Sequence, residues 1–343
     1  MSRASAPTID VGFNAGFDTA RDSRPTISRR RRVLRDESIG QAQRRHFLLF
    51  DVVPTLAAIA AIPVLWHIGL TWTGVALFAA MWVLNLIGIE VGFHRLFSHG
   101  AFEASPRLRA ALVILGSMGA QGPVVSWASN HRHHHHHSDT PEDTHSPHAS
   151  YTNSWRARLR GFAHAHLLWK WSYPYPSPSH YTPGLLRDPV VINTSRHYTT
   201  WIMLGLVAPA VAGGLVTWSM RGAVEGLITG GILRLVLGQH ATWCINSLCH
   251  LVGSRPFYTG DRSTNNAWLA LPTLGGSWHN NHHAFPTTAS NQLLWWQLDP
   301  CYWVIATLAR CHLVSNVKRP TADAIRAKRE SAARRTSLQK DPS

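Results

Sequence analysis

Acidic residues are scarce. The chain has 343 residues, with 18 aspartates and glutamates against 33 lysines and arginines, a formal net charge of +15. The excess gathers at the ends, in Arg29 to Arg32, in Arg44 and Arg45, and in the tail from Lys318 to Lys340. Such runs attract nucleic acid, but none lies in a folded binding motif and they border apolar stretches, so no nucleic-acid partner is expected. Cysteine is scarce too. Cys244, Cys249, Cys301 and Cys311 form no C-x-x-C pair, which excludes a redox dithiol and a disulfide framework and leaves four small apolar side chains. No apolar segment closely follows Met1, which excludes a secretory signal. No internal repeat is present. The spacing Glu-x-x-His occurs only at Glu142 and His145, in a Pro-flanked loop, which excludes the carboxylate-bridged centre that needs paired motifs on bundle helices.

Long apolar runs are present. Residues 47–69, 72–93, 199–219 and 223–250 are each long enough to cross a bilayer, for which about 20 residues suffice. They pair as two hairpins, with turns at Leu70 and Thr71 and at Arg221 and Gly222. The turns carry little charge and the other ends are basic, which predicts cytoplasmic termini by the positive-inside rule. The expected fold is an all-α membrane protein with four transmembrane helices in two hairpins. A helical cytoplasmic cap, from residues 94–198 and 251–314, completes a desaturase-sized domain over 47–314. A basic disordered arm, 1–46, precedes it and a basic cytoplasmic tail, 315–343, follows. Leu108 to Val125 is apolar but interrupted by Gly116, Gly119, Gly122 and Pro123. Crossing there would put the histidine motifs on opposite faces, so this segment is expected to lie in the interface or against the bundle. Trp155, Trp169, Trp171, Tyr173 and Tyr175 suit an interfacial position.

Histidine is abundant and patterned. His131-Arg132-His133-His134-His135-His136-His137 carries imidazoles at i, i+3 and i+4, which share a helix face and can bring three ring nitrogens toward one point. His279-Asn280-Asn281-His282-His283 repeats the spacing. A third motif, His94-Arg95-Leu96-Phe97-Ser98-His99, needs a helix that ends between its two histidines. Asn246 and His250 stand i, i+4 at the end of the fourth run, a polar pair at a membrane edge. The candidate ligands are therefore His94, His99, His131, His134, His135, His250, His279, His282 and His283, with Asn246 beside them. Nine imidazoles exceed one tetrahedral zinc site and suit two metal ions with four or five ligands each. His133, His136 and His137 turn elsewhere on the helix. Asp139 and Asp143 are candidates to hold the far nitrogens of ligand rings.

These residues carry a family resemblance. H-R-L-F-S-H, H-R-H-H-H, N-S-L-C-H and H-N-N-H-H resemble the motifs of the membrane fatty acyl desaturases, in the Δ9-type acyl-CoA and acyl-lipid branch related to stearoyl-CoA desaturase. The resemblance runs from Phe47 to Val314. It implies a non-haem di-iron site, with one iron on His94, His135, His250 and His282, with Asn246 through water, and the other on His99, His131, His134, His279 and His283. It also implies O2 as co-substrate, a cis double bond at Δ9 in a CoA-, lipid- or carrier-linked acyl chain, and a site at a bacterial inner membrane. With no fused redox domain in the chain, the expected electron donor is a separate ferredoxin-, rubredoxin- or cytochrome b5-like protein with its reductase. Three positions depart from the family pattern: Ser129 and Asn130 replace an Arg-Asp pair that helps hold CoA, and Gly276 stands where a glutamate is usual. The alternatives are hydroxylation or alkyne formation at the same centre, or a histidine-rich membrane protein that binds metal without chemistry. The last would line its spans with polar residues, and the spans hold few: Asn85, Glu90, Arg234 and Asn246.

Overall fold

The structure, a computed structural model, describes residues 32–148, 154–172 and 174–340. Most of the basic arm, the interfacial Tyr173 and the last three residues of the tail lie outside the described residues. The described chain is helical, with two short antiparallel pairings that the all-α expectation did not include. Val33–Leu34 pairs with Tyr175–Pro176, and Glu103–Ala104 with Val314–Ser315.

Helix α1 (Glu37–Ile68) is a single element in which the expected arm and first span are fused. The arm is helical from Glu37 because the Asp36 carboxylate accepts from the Ser38 and Ile39 N–H groups, capping the first turn. Helix α2 (Trp72–Ser98) begins at a Thr71 cap. Helix α5 (Tyr198–Thr217) ends at Trp218, in the left-handed conformation, and Ser219 caps the next helix through the Gly222 N–H. The second turn is thus at 218–219, and Arg221 and Gly222 lie inside helix α6, residues 220–247.

Among the described residues three helices, α1, α2 and α5, are long and apolar enough to cross a membrane. The fourth expected span is a helix of ample length but is more polar. It holds Glu225, Arg234 and Gln239, all buried. Each has a partner. Arg234 donates to the carbonyls of Gly230, Met118 and Gly205, at 3.0, 2.9 and 2.6 Å. Glu225 accepts from the Thr71 N–H and hydroxyl at 2.6 and 2.9 Å, and Arg221 bonds the Ile68 carbonyl. These contacts tie the two hairpin turns together, at the end of the bundle away from the histidines. Buried polar groups are ordinarily paired in this way.

The apolar segment after α2 forms helix α3 (Pro106–Ser117), which packs on α2. A Cβ on Gly88 would lie 2.1 Å from the Gly116 nitrogen, so the two backbones approach this closely only because residue 88 is glycine, and a Cβ on Gly116 would strike the Phe93 ring. Ala120 and Gly122 take positive φ and break the run. Helix α4 (Val124–His137) then starts behind Pro123.

Candidate metal centre

Box one is set by an unusual backbone. The last turns of α2, Ile87–Ser98, are wound as a π-helix, and the His99 N–H donates to the His94 carbonyl five residues back. Five residues are close to one turn of such a helix. His94 and His99 therefore share a face, their ring centroids 5.1 Å apart, and the helix ends at Ser98, between the two histidines, as the spacing requires.

Box two lies on α4, fixed to box one by Arg132. Its guanidinium donates to the carbonyls of Ser98, Tyr181 and Phe97 at 2.7, 2.8 and 3.1 Å. Box three forms helix α7 (His279–Ala284), whose asparagines are anchors. Asn281 accepts from Asn265 at 2.7 Å and donates to Gln297 at 3.0 Å, and its own N–H reaches Asn265 at 3.1 Å. His250 follows α6 directly.

All nine histidines converge, in two groups. In the first, His94 and His282 bring their Nε2 atoms to 3.0 Å, His99 and His131 to 2.7 Å, and His135 reaches His131 at 3.1 Å and His282 at 2.9 Å. In the second, His279 Nε2 lies 3.0 Å from both His250 and His283, and His134 completes the set. This grouping corrects the one implied by the resemblance. His250 sits with His134, His279 and His283, while His99 and His131 sit with His94, His135 and His282. The three imidazoles of one box do not meet at one point either. Residues i and i+4 differ by about 40° around a helix, but i+3 falls about 60° to the other side. His131 and His135 therefore face the first group and His134 the second. Box three does the reverse: His279 and His283 face the second group, and His282 the first.

Carboxylates fix the ring orientations. Asp143 meets His134 Nδ1 at 3.0 Å, Asp139 meets His250 Nδ1 at 2.9 Å, Asp261 meets His283 Nδ1 at 2.6 Å, and Glu90 meets His94 Nδ1 at 3.0 Å. Asp139 and Asp143 stand where the sequence reading put them, whereas Asp261 and the role of Glu90 escaped it. A proton held on Nδ1 leaves Nε2 as a lone pair. In the second group three such lone pairs point at one place, and the buried His134 Nε2 has no hydrogen-bond partner. Burial holds His131, His135, His279 and His282 well below the usual histidine range, so these four rings are neutral. Converging lone pairs in a buried space repel one another unless a cation lies among them. Both groups can hold a metal ion.

Glu90 also explains Gly276. A Cβ at position 276 would fall 2.8 Å from Glu90 Oε1. The carboxylate of α2 occupies the space that a side chain on 276 would need.

The remaining box-two histidines face away. His133 and His136 pack on Tyr181, at 5.3 and 5.9 Å between centroids, and His137 Nδ1 is 3.0 Å from Glu142. Asn246 is outside both groups and lines a cavity of about 430 Å³ with Trp127, His131, His145 and Trp243. Trp127 stacks on His131 at 5.1 Å. Trp169 and Tyr175, expected at an interface, line this cavity too, while Trp155 and Trp171 are exposed. Ser129 is fully buried and donates to the Pro176 carbonyl at 3.0 Å.

The fatty acid desaturase family model matches residues 66–315. The chain is 43% identical over 307 residues to a hex-5-enoyl-[acyl-carrier protein] acetylenase of Moorena producens, covering 89% of this chain and 96% of that protein. It is 36% identical to an sn-1 stearoyl-lipid 9-desaturase of Anabaena variabilis, over 71% of this chain and 83% of the relative. It is 33% identical to an icosanoyl-CoA 5-desaturase of Limnanthes douglasii, over 69% of this chain and 62% of the relative. The chain belongs to the fatty acid desaturase family and is an oxidoreductase.

Proposed function

We propose that the protein uses O2 to oxidise two adjacent methylenes of a fatty acyl chain at two non-haem irons, giving a cis double bond. The balance is one acyl chain, one O2, two electrons and two protons in, and one alkene and two waters out. The observation that carries this reading is the pair of buried imidazole groups beside a cavity walled by Trp127 and Trp243. One iron would be held by His94, His99, His131, His135 and His282. The other would be held by His134, His250, His279 and His283, with Asn246 through water. Bound iron supplies the activation of O2, which no protein side chain can perform. The chain's residues do the rest. The four carboxylates keep the rings in one tautomer, and Trp127 would lie along an acyl chain and hold it beside His131. Electrons would come from a ferredoxin-, rubredoxin- or cytochrome b5-like protein and its reductase.

Four membrane helices and a cytoplasmic histidine centre complete the proposal, at a bacterial inner membrane. Its support is the apolar length of α1, α2 and α5 and the basic flanks. Reporter fusions at Ser343 and within Leu70–Thr71 are expected to lie on opposite sides.

Alkyne formation is a second reading, favoured by the acetylenase at 43% identity, whose substrate is linked to an acyl carrier protein. The Δ9 position has the support of the stearoyl-lipid 9-desaturase. One experiment separates them. The protein is expressed in a desaturase-deficient host, and acyl products are analysed by mass spectrometry with saturated and with terminally unsaturated substrates. A double bond at carbon 9 of long chains supports the Δ9 desaturase, and a triple bond on the unsaturated substrate alone supports the acetylenase. No oxidised product at full iron loading overturns both.

A further inference from the structure

Exposed tryptophans mark one end of the helix bundle. Trp66, Trp72 and Trp218 stand almost wholly exposed at the two hairpin turns, where Glu225 meets Thr71. A hydrocarbon core of about 30 Å takes about 20 helical residues. Counted from Trp72 along α2 and from Glu225 along α6, the other edge of that core falls near Gly92 and Ile245. Gly276 stands at this edge, since a Cβ on it would fall 2.7 Å from Ile245 Cδ1 and 2.8 Å from Glu90 Oε1. The turn before it carries a second exposed set, with Trp268 92% and Leu271 66% exposed. Helix α8 (Pro300–Arg310) starts against the same turn, its Cys301 N–H donating to the Leu274 carbonyl at 3.3 Å, and packs on the last turns of α2. It buries Cys301 and Ile305 and exposes Trp303, Thr307 and Arg310. Residues 263–298 contain no Asp, Glu, Lys or Arg, although about a quarter of residues are charged in an average soluble domain.

We propose that the segment leading into box three is an interfacial anchor, with Trp268, Leu271 and Trp303 set into the headgroup region of the bilayer. The proposal rests on the reading of α1, α2, α5 and α6 as membrane spans, and not on the reaction. Lipid is favoured over a protein partner by depth, residue type and charge. The two exposed sets are separated by about the thickness of a hydrocarbon core, which no protein partner would impose. Tryptophan is the side chain enriched at both faces of a membrane, where an apolar ring meets a wet edge. The uncharged stretch offers a soluble partner no ion pair. Cations instead stand beside it. Arg310 is exposed at the end of α8, and the Arg319 guanidinium lies 5.0 Å over the Tyr302 ring. Such side chains reach lipid phosphates while their stems stay on apolar surface. Box three begins three residues past Gly276, so the anchored turn leads directly into His279. The chain after α6 thereby gains a second hold on the membrane without crossing it again.

The test is fluorescence quenching on the iron-loaded full chain in vesicles of phosphatidylcholine and phosphatidylglycerol. The exposed Cys311 is replaced by serine, and a nitrobenzoxadiazole label is attached in Trp268→Cys or Trp303→Cys. The same label in Leu56→Cys, exposed on α1, is the lipid control, and in Arg262→Cys, exposed on the cap, the water control. All four side chains are exposed, so the core is left intact. One quencher is a phosphatidylcholine with a nitroxide high on its acyl chain, and the other is aqueous iodide. Labels at 268 and 303 are expected to be quenched by the lipid at least about half as strongly as the label at 56, and by iodide about threefold less than the label at 262. Iodide quenching equal to that at 262, with no response to the lipid, overturns the proposal. Protection from both quenchers overturns it too, since a second copy or another protein then covers the face. If the label at 56 is quenched by lipid and those at 268 and 303 are not, the anchor fails and the spans stand. If the labels at 268 and 303 meet the lipid and the label at 56 does not, the anchor stands and the reading of the spans fails.

Discussion

The two histidine groups are built differently. The first has five rings, and a carboxylate backs one of them, Glu90 on His94. The second has four rings, and carboxylates back three: Asp143 on His134, Asp139 on His250 and Asp261 on His283. The first is held between helices α2 and α4, and one box-three ring, His282, closes it. The second draws its carboxylates from the loops after α4 and before α7. One group gains its hold on a cation from ligand number, the other from ligands whose tautomer and aim are fixed by partners. The difference teaches which residues should be fragile in each.

The largest expected effect is loss of a ring. His135 approaches both His131 and His282, and His134 is the one box-two ring in the second group. His135→Ala and His134→Ala are each expected to lower the unsaturated fraction of cellular fatty acids by at least about a hundredfold, at matched protein levels. The two should differ in metal content. Four rings remain in the first group after His135→Ala, but only three in the second after His134→Ala. Elemental analysis is expected to find more iron retained in His135→Ala. Equal retention would erase the contrast between the groups.

Loss of a carboxylate comes next, and here the groups should part most clearly. Removing such a partner typically costs about 10–100-fold in metal affinity. In Asp261→Asn the second group loses the tautomer lock on His283, and mild chelation is expected to leave about one iron of two. Glu90→Gln acts on one ring of five and is expected to keep both. The measurement is iron per chain against chelator concentration. A Glu90→Gln protein that loses iron as readily as Asp261→Asn would show that ligand number does not protect the first group.

How far the sequence reveals this comparison is itself physical. The spacing i, i+3, i+4 identifies all six box-two and box-three rings, because helix periodicity is local. It does not say which ring faces which metal, because that depends on how α4 and α7 cross, and a rotation of about 100° separates His134 from His135. The π-helical turn at His94 and His99 is invisible too, since the close packing of Gly88 on Gly116 that accompanies it is a tertiary contact. Asp139 and Asp143 are legible by nearness to box two. Asp261 lies 22 residues before His283, with nothing local to connect them. Glu90 reads as a polar residue in a span, and its role appears only with Gly276, whose missing side chain leaves it room.

That vacancy gives a smaller effect. In Gly276→Ala the added Cβ would fall 2.7 Å from Ile245 Cδ1 and 2.8 Å from Glu90 Oε1, so Glu90 must shift. Overpacking of this kind costs about 1–3 kcal/mol. Activity is expected to drop several-fold through the first group, with iron in the second unchanged. The double variant Gly276→Ala, Glu90→Gln should be no worse than Glu90→Gln in iron content, because Glu90→Gln has already given up the carboxylate on His94 that the added Cβ displaces. A double variant that loses the second iron would move Gly276 into the other half of the centre.

The smallest effect belongs to His137. It lies in the same run of five histidines as His134 and His135, so composition alone ranks it with them. Its ring turns the other way. It contacts His133 at 4.7 Å between centroids, its Nδ1 is 3.0 Å from Glu142, and it lines an outer cleft rather than either histidine group. Its pairing with Glu142 is partly exposed, and such pairs contribute about 0–1 kcal/mol. His137→Ala is therefore expected to keep both irons and at least half of the wild-type activity, again read as the unsaturated fraction at matched protein levels. A His137→Ala protein as inactive as His135→Ala would mean that α4 is rotated from the position described. The assignment of His131 and His135 to one group and His134 to the other would then fail with it.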